Sequence, residues 1–183
     1  MRKLFILVAL FTTIFSTCHA DAVKISNLSA ENFLASMRGV LYSDAVQKDF
    51  PIAITNLVRG ENDLNVDGYD LKVYSSFFGK QGLENPDGEV TFYVDNTNCV
   101  HTVKITVQES NNSAIEYASV FVSICHAIGL TEDEAKTLLS GGKSEEAGLY
   151  HSELERQGNI IFVLSTLDEG ITRTLFMSGD NNG

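Results

Sequence analysis

The chain has no tryptophan, only three cysteines and two prolines, and few cations for the number of its acidic residues. Its 13 Lys and Arg stand against 24 Asp and Glu, which gives a formal net charge of −11. Nucleic acids and anionic membrane surfaces are bound through clustered Lys and Arg, so this balance argues against both as partners. A basic protein is the partner that such a charge favours, because complementary charge steers association.

The sequence has a single long apolar run, at its beginning. Arg2-Lys3 precedes the apolar stretch Leu4–Phe15, and the small residues Cys18 and Ala20 stand at the −3 and −1 positions of a cleavage site. This pattern predicts a secretory signal peptide over residues 1–20, cleaved near Ala20. The stretch is too short to cross ~30 Å of hydrocarbon, and no other run has spanning length, so we expect no integral membrane span.

Export predicts that the protein works in the periplasm or outside the cell. The alternative is lipid attachment at Cys18, although Phe15-Ser16-Thr17 matches the lipoprotein pattern poorly. Residues 21–178 show no repeat or low-complexity linker and are long enough for one domain with its own core. The glycine- and asparagine-rich residues 179–183 are expected to form a disordered tail.

Two cysteines remain once Cys18 is removed with the signal. An even pair in an oxidising compartment predicts a disulfide between Cys99 and Cys125. A helix that returns antiparallel over the strand starting near Cys99 brings Cys125 towards it. The alternative is a zinc or copper site that adds His101 and His126, but neighbouring helical residues point about 100° apart and rarely reach one metal together.

Hydrophobic periodicity predicts an α+β domain, an antiparallel sheet of about five to seven strands with two or three helices packed on one face. Capping residues at Ser29, Ser113 and Thr131 start the helices, and Gly129 stops the second. Two runs of alternating apolar residues form the clearest hairpin and place Cys99 and His101 on its inward face. The predicted strands are residues 51–58, 69–77, 89–94, 99–107, 149–154, 159–167 and 171–177.

The segment Asp63-x-Asn65-x-Asp67-Gly68 resembles the first half of an EF-hand calcium loop, with oxygen ligands at alternate positions and glycine at the turn. Tyr74 occupies the position of the chelating glutamate, so the remaining ligands would come from Glu61 or Asp70. Asp63, Asn65 and Asp67 are therefore a candidate calcium site with an incomplete set of ligands. A solvated acidic loop closed by an Asp-Gly turn is the alternative, and no cofactor is otherwise predicted.

Recognisable catalytic motifs are missing from the sequence. Gly141-Gly142-Lys143-Ser144 resembles the end of a phosphate-binding loop but follows a helix and is interpreted as a helix stop. His151 and Glu153 share one face of a strand and offer an acid–base pair. No catalytic residue is assigned, and we expect an exported acidic binding module, such as an inhibitor, an immunity protein or a secretion accessory. The alternative is a secreted hydrolase or virulence-type factor.

Overall fold

The computed structural model describes residues 24–49, 51–66, 69–80, 86–108, 113–140, 143–146, 149–156, 159–168 and 172–179. The predicted signal peptide and residues 180–183 of the predicted tail lie outside these ranges. The helices are α1 Ala30–Leu41, α2 Asp44–Asp49, α3 Ser113–Ala127 and α4 Glu132–Ser140. The strands are β1 Ile52–Ile54, β2 Val58–Arg59, β3 Leu64–Val66, β4 Tyr69–Lys80, β5 Gly88–Val94, β6 Val100–Gln108, β7 Lys143–Glu146, β8 Leu149–Arg156, β9 Asn159–Asp168 and β10 Thr172–Gly179.

One antiparallel sheet contains all of these strands. Its order is β1-β4-β5-β6-β10-β9-β8-β7, and β2 and β3 pair with further segments of β4. Strand β10 therefore lies between β6 and β9, although it is the last in sequence. Strands β4 to β6 and β8 to β10 have seven residues or more, and the others are short. The predicted α+β class with an antiparallel sheet is confirmed.

The hydrophobic core lies between one face of the sheet and the helices. Helix α1 packs against α3, α3 crosses β6, and α4 packs against β8. The rings of Phe33 on α1 and Phe92 on β5 meet edge to face at 5.6 Å. Val90, Phe92 and Val94 on β5 are fully buried in this cluster, as are Val103 and Ile105 on β6. Because side chains alternate along a strand, the residues between them occupy the opposite face.

The helix ends follow the sequence signals. Ser29 accepts a hydrogen bond from the Asn32 N–H, and Thr131 and Glu134 form the predicted capping box, with Glu134 Oε2 accepting from the Thr131 N–H at 2.8 Å. Gly129, at φ 78°, ends α3 in a Schellman motif in which the Leu130 N–H donates to the carbonyl of Cys125. The structure adds α2, β2, β3 and β7, which the sequence did not predict; β7 begins at Lys143, directly after the predicted helix stop at Gly141-Gly142.

A β-bulge interrupts the predicted hairpin. Tyr93 pairs with Thr102 and Val94 pairs with Val100, so His101 is an extra residue on β6. The extra residue reverses the alternation, and Val100 joins Val103 and Ile105 in the core. Cys99, next to Val100, is only partly buried and is not part of the core, so its predicted inward placement is wrong. His101 is buried, and its Nδ1 lies 3.0 Å from the hydroxyl of Thr102.

None of the described helices combines the length and the apolar character needed to cross a membrane.

Candidate functional site

The sheet face opposite the core, here called the polar face, carries a row of polar side chains across β4, β5 and β6. The strand register places Ser75 opposite Thr91 and Thr91 opposite Lys104. One step along the strands, Glu89 lies opposite Thr106. We call Ser75, Glu89, Thr91, Lys104 and Thr106 the polar cluster. Neighbouring strands lie about 4.8 Å apart, so these five residues occupy one compact block.

Glu89 is held in place by two hydroxyl groups of the polar cluster. Ser75 Oγ donates to Glu89 Oε1 at 2.6 Å, and Thr91 Oγ1 donates to the same oxygen at 3.1 Å. Hydrogen bonds from hydroxyls to a carboxylate are short and stronger than those between neutral groups. The Glu89 carboxylate is thereby oriented while it remains half-buried and in reach of solvent.

Lys104 places a positive charge beside this carboxylate. Its side chain is partly buried, and burial lowers the pKa of its ammonium group, while the charge of Glu89 acts in the opposite direction. Among the described residues no acidic group lies within ion-pair distance of Lys104. The pKa of the neighbouring Tyr93 phenol is raised by burial and, to a lesser degree, by the charge of Glu89, so this hydroxyl stays protonated at neutral pH.

Thr106 completes the polar cluster with a hydroxyl that is not satisfied. Its Oγ1 is buried and has no hydrogen-bond partner among the described residues. A buried hydroxyl without a partner costs free energy of about 1–3 kcal/mol on protein-based scales. Such a group is a reason to look for a ligand at this point of the sheet.

His151 and Glu153 on β8 form the contact that their spacing predicts. His151 Nε2 lies 3.2 Å from Glu153 Oε1, and both side chains are solvent-accessible. Ser152 and Leu154, which alternate with them, are buried on the core side. The pair therefore projects from the polar face, as does Glu155 one step further along the strand.

The exposed surface is acidic and poorly compensated. Among the exposed cations of the described residues, Arg59 and Lys136 are each paired with a carboxylate on their own segment, Asp63 and Glu132 respectively, whereas Lys48 and Lys80 have no ion pair. In the described residues the following exposed carboxylates have no ion pair: Glu31, Asp44, Glu61, Asp70 and Glu155. The formal charge of the chain therefore appears on its surface as a negative potential.

Both described cysteines are free thiols, so the predicted disulfide between Cys99 and Cys125 is not formed in the structure. Cys99 lies just outside β6, where its Sγ is 3.6 Å from the carbonyl oxygen of Asn27. Cys125 is buried in α3, and burial raises the pKa of its thiol to about 12. The bulge at His101 is the physical reason for this difference from the sequence prediction, because it puts Val100 in the core in place of Cys99.

In the calcium candidate, Asp63 directly precedes β3 and Asn65 lies within this strand. Asp63 makes an ion pair with Arg59, and Asn65 lies on β3, where its Nδ2 donates to Asp70 Oδ1 at 2.6 Å. Asp67 lies outside the described residues. In the part of the chain that the structure covers, no three His, Cys, Asp or Glu side chains are grouped closely enough to hold a metal ion. A calcium ion at this place would have to replace Arg59 as the partner of Asp63.

Sequence reasoning did not identify the polar cluster, although the alternation of its polar residues with apolar ones is visible in the sequence. Glu89 and Thr91 alternate with core residues of β5, and Lys104 stands between Val103 and Ile105. Only the strand register shows that these polar positions are neighbours. No family model, no curated protein and no solved structure matches this chain, so the residues themselves carry the functional argument.

Proposed function

We propose that this protein is an exported acidic binding module that docks onto a cationic protein in the periplasm or outside the cell. The observation that carries the proposal is the set of exposed carboxylates without cationic partners, at a formal net charge of −11. Complementary charge raises the rate of encounter and selects against acidic partners. The sequence pattern of residues 1–20 supports export, and the lack of a recognisable catalytic motif favours binding over turnover.

The strand β8 is the best-defined docking element within this acidic surface. Glu153 and Glu155 are exposed at alternate positions of the strand, about 6.5–7 Å apart along it. His151 lies beside them and adds positive charge when protonated. Two carboxylates at this spacing suit neighbouring Lys or Arg side chains of a partner. Inhibition, immunity towards a toxin and assistance in secretion are all roles that such a surface can serve.

The experiment is capture of partners from the extracytoplasmic fraction on immobilised protein, at low and at moderate salt, with identification by mass spectrometry. A stoichiometric basic protein that elutes as salt rises supports the proposal, since exposed charge pairs are screened by salt. The double variant Glu153→Gln/Glu155→Gln should weaken its capture about tenfold or more. The control variant Glu31→Gln/Asp44→Asn removes the same amount of charge, but from the helices. It should still capture most of the basic protein. Absence of any captured protein at every salt concentration would refute the proposal.

A secreted hydrolase is the second candidate, and the contact between His151 and Glu153 is the observation in its favour. A carboxylate that orients a histidine is one element of a general acid–base site. Purified protein should then turn over a generic ester, peptide or glycan substrate, and His151→Asn should abolish turnover. A binding module shows no turnover with any of these substrates, so the assay separates the two candidates.

A further inference from the structure

Two groups of the polar cluster have polar atoms that the described residues leave unsatisfied. Lys104 forms no hydrogen bond or ion pair with them, and Thr106 Oγ1 is buried without a partner. Both groups can donate a hydrogen bond, and they alternate on the same strand, so their side chains share one face. A ligand that brings an acceptor oxygen would satisfy both.

Glu89, beside these two donors, has a free acceptor oxygen. Its Oε1 already accepts from Ser75 and Thr91, whereas Oε2 has no hydrogen bond from any described residue. Glu89 and Lys104 occupy diagonal positions on β5 and β6, for which Cβ atoms are about 7–8 Å apart. The two hydroxyls anchor the Glu89 carboxylate, so the opposite charges stand side by side without forming an ion pair.

This arrangement selects a ligand by its charge pattern. A simple anion would be attracted by Lys104 but repelled by Glu89 and by the acidic surface. A simple cation would be attracted by Glu89 but repelled by Lys104. A molecule with both charges a few ångströms apart satisfies both side chains at once. We propose that Lys104, Thr106 and Glu89 form a binding site for a small zwitterion, of which an α-amino acid is the simplest member.

Each residue has a definite role in this site. The ligand carboxylate accepts hydrogen bonds from Lys104 Nζ and from the Thr106 hydroxyl, and the ligand ammonium group donates to Glu89 Oε2. Ser75 and Thr91 are positioning residues, because they hold Glu89 through its other oxygen. The site uses none of the exposed carboxylates of β8. Zwitterion binding and the proposed docking to a cationic protein can therefore be tested independently.

Three probes of matched size test the proposal: glycine carries both charges, glycolate only the carboxylate, and ethanolamine only the ammonium group. Each is titrated into the protein to about 50 mM, the range needed for millimolar dissociation constants, while backbone amide shifts are followed by NMR. We expect saturable shifts with glycine at residues 75, 89–91 and 104–106. Glycolate and ethanolamine should bind about tenfold more weakly or worse.

Variants then assign the binding to the named side chains. Lys104→Met keeps the apolar stem and removes the charge, Glu89→Gln keeps an oxygen for the two hydroxyls, and Thr106→Val tests the site without a change of charge. Each should weaken glycine binding, the two charge variants by about tenfold or more. Lys136→Met, on the exposed side of α4, is the control and should bind as the parent does.

The proposal is overturned by any of three results. These are no saturable change with glycine, equal binding of glycolate or ethanolamine, or unchanged glycine affinity in Lys104→Met. Thermal melting of each variant shows that it is folded. If Lys104→Met fails to fold, Thr106→Val decides the question, because it alters one uncharged group at the same site.

Discussion

Asp95 organises the turn between β5 and β6. Its Oδ1 accepts hydrogen bonds from the N–H and the hydroxyl of Thr97, at 2.8 and 2.7 Å, and from the N–H of Cys99 at 3.0 Å. Burial alone would raise the pKa of Asp95, but these bonds outweigh it and hold the pKa below its usual value. We expect Asp95→Ala to lower the free energy of unfolding by about 1–2 kcal/mol, measured by urea denaturation.

The same carboxylate makes part of the stability dependent on pH. Its pKa is lower in the folded chain than in the unfolded one, so its contribution is complete above the unfolded value of about 3.9 and is lost as pH falls through the folded value. The stability difference between the parent and Asp95→Asn should therefore shrink below about pH 4. A difference that stays constant down to the acid transition would show that the charge of Asp95 is not responsible.

The two described thiols should differ in reactivity. Cys99 is partly exposed, whereas Cys125 is buried and its thiol has a pKa of about 12, so Cys125 has almost no thiolate at neutral pH. Iodoacetamide at about pH 8 should modify Cys99 in the folded protein and Cys125 only after unfolding, as read by peptide mass spectrometry. If neither reacts and the intact mass is lower by two hydrogens, the two cysteines are joined and the free-thiol state is not the one in solution.

Alanine substitutions at two glycines of the helices compare a left-handed backbone position with an ordinary helical one. Gly129 ends α3 at φ 78°, and a Cβ there would meet no neighbouring atom, so Gly129→Ala introduces backbone strain alone. It should lower the free energy of unfolding by about 1 kcal/mol. Gly39 lies within α1 and also has open space around a Cβ. Gly39→Ala should raise stability by about 0.5–1 kcal/mol. Equal effects of the same sign in denaturant melts would contradict this account of the α3 end.

Elements with a strong local signal could be predicted from the sequence, and those set by distant pairing could not. The capping box of Thr131 and Glu134 and the stop at Gly129 are local, and both form as predicted. Strands β2 and β3 are short and depend on their pairing with β4, which no local pattern encodes. The bulge at His101 is likewise a property of the pairing, and its one extra residue moved Cys99 out of the predicted face.

In the candidate site, too, local contacts could be predicted from the sequence and contacts between strands could not. The contact between His151 and Glu153 follows from alternation within a single strand, so the spacing predicts it. The polar cluster combines three strands, and Ser75 meets Glu89 only because β4 and β5 pair in one particular register. In the sequence these residues are polar positions that alternate with apolar ones and form no recognisable motif. Their chemistry becomes visible when the register is known.

The net charge of the chain also affects the stability of the fold. A formal net charge of −11 on an exposed surface produces self-repulsion in the compact state. Raising sodium chloride from about 0.02 to 0.2 M should therefore increase the melting temperature by a few degrees in calorimetry. Glu61→Gln/Glu155→Gln removes two exposed charges that lie outside the helices, so it should raise the melting temperature at low salt and reduce the gain from salt. A melting temperature that is unaffected or lowered by salt would contradict the repulsion argument.

The position of β10 sets the order in which the sheet can be completed. This strand is the last in the described chain, yet it pairs with β6 on one side and with β9 on the other. Until residues 172–179 have been synthesised, β6 presents an open edge, and the two parts of the sheet have no strand to join them. Assembly therefore waits for the end of the domain, and a chain that stops after β9 cannot close its sheet.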